Sequence, residues 1–224
     1  MTRSEYAILL EDYGAVFIDI AKVASSSLKA VCAAALGFDL TTVGGNPHEM
    51  AFPHPPEPSE ASERLYRDYY AFSFVRNPWD RLVSCYRDKI LGEVADFTEI
   101  SEAGIAHCLT GLEGFSAGMS FDAFVAAVAS IPDNQAEEHI RSQFLALTND
   151  RGYLAVDFVG RYETLAADFQ YVANQIGLPS EISLPRLQVN PRTVAYRDYY
   201  TATTRDLVAA RFAQDIALFS YRFD

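Results

Sequence analysis

Two stretches of this chain each run from a short apolar strand directly into a helix, and that repeated corner limits the fold more than any other feature. In the first, AVFIDI at 15–20 leads into AKVASSSLKAVCAAALG, a loop turning into a helix that closes at Gly37. In the second, Ala71 to Val75 is an apolar run bounded by a turn signal, which reads as a buried strand. Asn77-Pro78 ends it and opens a helix, because proline at a first helical position has its φ already set and lacks only an N–H that would go unpaired. From there Trp79, Leu82, Val83 and Tyr86 keep helical spacing. Repeated strand–loop–helix units call for an α/β fold with a short parallel sheet flanked by helices.

Both corners suit anions. Arg76 stands at the carboxyl end of a strand beside a helix start, where its planar fork of donors can grip a phosphate; the plainer reading is a surface arginine at a corner. Ser25, Ser26 and Ser27 cover the N-cap and first turn of the other helix, with Lys22 just before them. That is either an ordinary capped helix with a solvated lysine, or a place where helix N–H groups, the dipole, three hydroxyls and an ammonium converge on an anion. It is not a Walker A loop, because the Gly-x-x-x-x-Gly-Lys-Ser/Thr pattern is absent.

The 224 residues, 50% apolar, suffice for one well-buried domain spanning 1–224. A formal charge of −12 argues against nucleic acid as a partner, since backbone phosphates require a basic face. Residues 76–89 nonetheless hold Arg76, Arg81, Arg87 and Lys89 against Asp80 and Asp88, a local cationic excess suited to a small anionic ligand. Arg81 reads as pairing with Asp80 or Asp88 at the surface. Cys32, Cys85 and Cys108 are odd in number and lack a Cys-x-x-Cys, so core thiols are expected rather than disulfides, and no spacing suggests a metal site. Neither a leader nor a membrane-spanning apolar run is visible, and a soluble, cytoplasmic protein of bacterial origin is expected.

The string VRNPWDRLVSCYRDK resembles the 3′-phosphate-binding motif of sulfotransferases that use 3′-phosphoadenosine 5′-phosphosulfate (PAPS), above all their carbohydrate branch. The resemblance implies that Arg76 and Ser84 hold the 3′-phosphate. AKVASSS resembles the 5′-phosphosulfate loop of the same enzymes, with Lys22, Ala24, Ser25, Ser26 and Ser27 in matching places and Ala21 where proline is usual. The likeness runs from about residue 15 to the end and is weakest over 91–135, a glycine-rich variable stretch expected to recognise the acceptor.

Other segments take their meaning from that resemblance. The long Gly/Pro-rich connection 38–59 holds His48 and His54; a histidine there can serve the family as general base, and His48 is the better placed. HIRSQ resembles a His-x-x-x-Gln segment near the acceptor, which makes His139 a second acid–base group, a positioning residue or a structural one. LPRLQVNPR resembles a segment that closes over the nucleotide, which implies contacts from Asn190 and Arg192. In GRYETL, Glu163 reads as structural beside a helix start, with Thr164 as N-cap; a helix 60–70 is expected before the central strand. The tail carries the family's closing pattern as Asp215, Phe219 and Tyr221, and Leu207, Val208 and Phe212 are expected inward.

Together these imply a sulfotransferase that moves a sulfuryl group from PAPS to a hydroxyl, on a sugar or glycolipid, without a metal. Lys22 would stabilise the leaving phosphate and His48 would take the proton. The alternatives are a non-catalytic nucleotide- or glycan-binding protein on the same fold and a kinase-like nucleotide phosphotransferase. Neither acceptor nor oligomeric state is legible.

Overall fold

Four strands in the order β1-β2-β3-β4 form the one sheet among the described residues, which in this computed structural model are 6–55, 67–93, 99–185, 187 and 194–224. Two units divide the chain: the first holds 1–75 and 143–187, the second 76–142 and 188–224.

In the first unit, β2 (Ala15–Ile18) pairs in parallel with β3 (Tyr70–Val75), and β3 with β4 (Phe158–Arg161), as the strand–loop–helix reading requires. The sequence reading omits β1 (Ala7–Leu10), which pairs antiparallel with β2 through a tight turn in which Gly14 takes the left-handed conformation at φ 56°. The outer edge of β1 is partly covered, since Leu9 N donates to Pro53 O at 2.8 Å. Helix α1 (Ser25–Ala35) follows β2, and α5 (Leu165–Ile176) follows β4. Phe17 and Phe72, cross-strand partners with rings 5.4 Å apart, face an apolar layer supplied by Leu28 and Val31 of α1 and Phe169 and Val172 of α5. Burying each such aromatic contributes roughly 1.5–3 kcal/mol. Gly160 is required because the Phe74 ring lies where its Cβ would be. The short α4 (Phe144–Leu147) completes this unit.

The second unit is helical. α2 (Pro78–Lys89) starts as expected, with Pro78 at its first position and Asn77 Oδ1 accepting from Trp79 N at 3.1 Å. α3 (Phe121–Ser130) is capped by Ser120, whose Oγ accepts from Ala123 N at 3.2 Å. α6 (Ala202–Arg211) and α7 (Ala213–Phe219) form the tail. Leu82 and Tyr86 of α2, Phe124 and Val125 of α3, and Val208 and Phe212 pack one apolar cluster. Trp79 Nε1 donates to Arg205 O at 3.1 Å and Tyr200 OH donates to Trp79 O at 2.9 Å, which ties the tail to the start of α2. Arg211 reaches Asp133 Oδ1 at 2.7 Å, and Ser142 N donates to the same oxygen at 3.0 Å.

Three expectations need correction. Leu207 is 37% exposed, because helical spacing turns it away from the face that buries Val208. Thr164 supplies no side-chain cap to α5; its hydroxyl donates to Asp168 Oδ2 at 2.7 Å, and Asp168 also accepts from Arg161 N at 2.7 Å. Arg81 is buried, not superficial: it donates to Arg141 O at 2.8 Å and Glu138 O at 2.9 Å. Its positions relative to Asp80 and Asp88 explain the failure, for residues one or seven apart on a helix are poor partners, and Asp80 is held by Arg76. Of the proposed helix 60–70, residues 60–66 lie outside the described residues and 67–69 form a turn. Cys32 and Cys85 are buried free thiols, as read; Cys108 is exposed.

Candidate active site

The loop 19–24 brings β2 to the start of α1 through two left-handed residues, Lys22 at φ 70° and Ala24 at φ 69°. Neither is glycine, and a non-glycine residue held there costs on the order of 1 kcal/mol, so the tertiary structure maintains this bend against local preference. Ala24 occupies the N-cap and has no side-chain oxygen to offer. The first-turn N–H groups of α1 therefore have no side-chain cap, there is no acidic residue in that turn, and Ser25, Ser26 and Ser27 are all buried around it. A helix start of this kind favours an anion through its N–H groups and dipole. Ser27 Oγ accepts from Leu187 N at 3.2 Å.

The same corner holds a polar network. Ser25 Oγ donates to Asp19 Oδ2 at 2.9 Å, and Lys29 Nζ lies 2.9 Å from that oxygen. Lys29 Nζ is also 3.4 Å from His48 Nδ1, while His48 Nε2 is 2.8 Å from Ser26 Oγ. His48 sits in a 3-10 turn, Pro47–Glu49, whose start is fixed by Asn46 Oδ1 accepting from His48 N at 3.0 Å. Its placement beside the loop separates it from His54, whose Nδ1 is 2.8 Å from Ala7 O on the edge of β1. Asp19 and Lys29 were absent from the sequence reading, although Lys29 lies three and four residues beyond Ser26 and Ser25, on their face of the helix.

In the second unit, Arg76 is buried and its Nε donates to Asp80 Oδ2 at 2.7 Å. Asp80 thereby orients the guanidinium from one helical turn away. Every residue of α2 is buried except Ser84, so the helix opens at the position singled out in the sequence. The other cations of this stretch are engaged as well: Arg87 Nε with Glu93 at 2.6 Å, Lys89 with Asp88 at 3.3 Å. Arg81 feels burial against its charge, which the neighbouring Asp215 carboxylate counters. Asp215, Phe219 and Tyr221, the closing pattern, are all buried.

His139 Nδ1 lies 2.7 Å from Glu137 Oε1, and its backbone N donates to Glu137 Oε2 at 2.8 Å. Burial works to raise the Glu137 carboxyl, but these hydrogen bonds outweigh it and hold the group below its ordinary value. A carboxylate at Nδ1 favours an N–H on that nitrogen, and in a neutral ring Nε2 is then the acceptor. Donor atoms of Cys108, Glu137 and His139 lie within 4.8 Å of one another, a grouping that their separation along the chain conceals. The Cys108 thiol is pushed up to about 11, first by burial and then by Glu137, and is protonated at neutral pH.

Residues 6–222 match the model of the sulfotransferase family. The chain belongs to that family. Among curated proteins it is similar to carbohydrate sulfotransferase 14 of Danio rerio, 25% identical over 240 residues covering 98% of this chain and 63% of that protein. It is 28% identical over 233 residues to carbohydrate sulfotransferase 14 of Mus musculus, covering 98% and 61%. Carbohydrate sulfotransferase 9 of Homo sapiens is 29% identical over 168 residues, covering 66% and 36%. The chain thus spans about three fifths of the length of the first of these relatives. No solved structure matches it significantly.

Within this sulfotransferase-family chain, the expected site residues fall into three groups. Lys22, Ala24, Ser25, Ser26, Ser27 and His48 belong to the α1 corner of the first unit; Arg76, Ser84 and His139 belong to the second unit. Asn190 and Arg192 lie outside the described residues. Among the described residues no helix is long and apolar enough to cross a membrane.

Proposed function

We propose that this chain transfers the sulfuryl group of PAPS to a hydroxyl of a carbohydrate. The observation that carries the reading is the start of α1, where three buried serines surround first-turn N–H groups without a side-chain cap or an acidic residue in the turn itself, and the nearby Asp19 carboxylate is paired with Lys29. Those donors suit the 5′-phosphosulfate, and Lys22 supplies charge for the phosphate oxygen released when the S–O bond breaks. Arg76, aligned by Asp80, and the partly exposed Ser84 suit the 3′-phosphate that distinguishes PAPS from ATP. The acceptor oxygen attacks sulfur, adenosine 3′,5′-bisphosphate departs, and the hydroxyl proton passes to a base. His139 has the arrangement a base needs, with Nδ1 bound to Glu137 and Nε2 left to accept. A loose transition state of this kind, like that of phosphoryl transfer, is met by positioning and charge rather than covalent help. The names of the relatives support a sugar as acceptor.

Calorimetric titration with adenosine 3′,5′-bisphosphate tests the reading, with 5′-AMP, ADP and ATP as controls. Binding that needs the 3′-phosphate and weakens in Arg76→Ala is expected, followed by transfer of labelled sulfate from PAPS to a panel of glycans. Equal binding of all four nucleotides would overturn it in favour of a kinase-like or nucleotide-binding protein.

A further inference from the structure

We propose that Asp19 and Lys29 are positioning residues that hold the ring proton of His48 on Nε2, so that His48 acts as an N–H donor at the mouth of α1. The idea rests on the reading of that corner as the phosphosulfate site. Lys29 Nζ is 2.9 Å from the Asp19 carboxylate, and a lysine so paired is an ammonium, which can donate hydrogen bonds but not accept them. At 3.4 Å from the ammonium, His48 Nδ1 must present its lone pair. A neutral imidazole has one N–H, and with Nδ1 as acceptor that hydrogen belongs to Nε2. Nε2 then donates to Ser26 Oγ across 2.8 Å, so that the serine oxygen accepts this bond.

The result is a chain of hydrogen bonds with a cation at one end, each link polarising the next toward the start of α1. Asp19 also receives Ser25 Oγ at 2.9 Å, so the same carboxylate braces both the lysine and the first residue of the helix. Its second oxygen, Oδ1, is buried without a hydrogen-bond partner among the described residues, and the Lys29 charge next to it is what keeps that ionised group tolerable. An anionic donor substrate would meet the helix N–H groups at this corner, with the Asp19 carboxylate neutralised by Lys29. This differs from the base role that family resemblance implies for His48, and it is consistent with proton acceptance by His139.

Long-range proton–nitrogen correlation spectra of the uniformly nitrogen-15-labelled protein read the tautomer directly. The chain has 4 histidines, and loss of one signal set in His48→Gln assigns the relevant ring. A proton on Nε2 in the wild type, and a ring that changes tautomer or exchanges its proton in Lys29→Met, is the expected result. A proton on Nδ1, or spectra identical in the two proteins, overturns the proposal. Binding of adenosine 3′,5′-bisphosphate supplies the second readout. His48→Ala should lose about tenfold in affinity, and His48→Gln, whose amide can donate from a similar place, should recover most of that loss. Equal loss in both variants, each checked for a wild-type melting curve, also overturns it. Should the wild type not bind the bisphosphate at all, the phosphosulfate reading falls, while the spectra still decide the position of the proton.

Discussion

Arg76 and Asp80 are joined one helical turn apart, Nε to Oδ2 at 2.7 Å, with both side chains largely buried. The arginine for which resemblance implies contact with the 3′-phosphate is thus held by a carboxylate in the first turn of the helix that follows it. Removing that carboxylate leaves a buried cation without its brace. Asp80→Asn should weaken adenosine 3′,5′-bisphosphate about tenfold and destabilise the fold by about 1–3 kcal/mol. Calorimetry and urea denaturation measure the two effects. Unchanged affinity in a folded variant would show that Asp80 does not position the fork.

Ser84 gives the opposite pattern. It is the one position of α2 that is not buried, so its hydroxyl contributes little to packing. Ser84→Ala should change stability by less than about 0.5 kcal/mol. If it binds the 3′-phosphate, affinity for the bisphosphate drops while that for 5′-AMP stays constant. Equal losses for the two nucleotides would remove Ser84 from the 3′-phosphate site.

The Glu137–His139 pair predicts a separation of kinetic constants. Glu137→Gln replaces an ionised acceptor with an amide and no longer holds the Nδ1 proton so firmly. Turnover should fall by about 10²-fold, the scale of general base assistance, with the KM for PAPS unchanged. A rise in that KM with turnover preserved would assign the pair to donor binding instead.

Asp133 sets an acid limit on the second unit. Burial acts to raise its carboxyl, but hydrogen bonds from Arg211 and Ser142 outweigh that and depress it. A group whose folded value lies below its unfolded value contributes stability above the unfolded value, and loses it as pH falls through the folded one. Stability measured from pH 6 downward should therefore decline in the acid range below about 4, where unfolded aspartate titrates. Asp133→Asn should flatten part of that decline and lower stability at pH 7. A wild-type slope in the variant would exclude this contribution.

The parts of the fold legible in advance are those decided over a few residues. Asn77-Pro78 before α2, Ser120 before α3 and Gly177 after α5 all act at the positions read for them, because capping is a contact between near neighbours. β1 was not legible: AILL is too short to show a period and owes its state to pairing with β2 and to the cover of Pro53. The site divides in the same way. Lys22, the serines and Arg76 stand out because their residue types and spacing carry the chemistry. Asp19, Lys29 and Glu137 do not, since their meaning lies in what they touch.

By itself the sequence determined the α/β class, the two strand–loop–helix corners, the capped starts of α2 and α3 and the family to which the chain belongs. Only the tertiary structure decided which histidine meets the start of α1, which groups face each ring nitrogen of His48 and His139, and that Arg81 is buried while Ser84 is not. The first set rests on dihedral preferences and local hydrogen bonds, which the chain carries wherever it goes. The second rests on burial and on partners brought from distant positions, whose energies do not exist until the chain has folded.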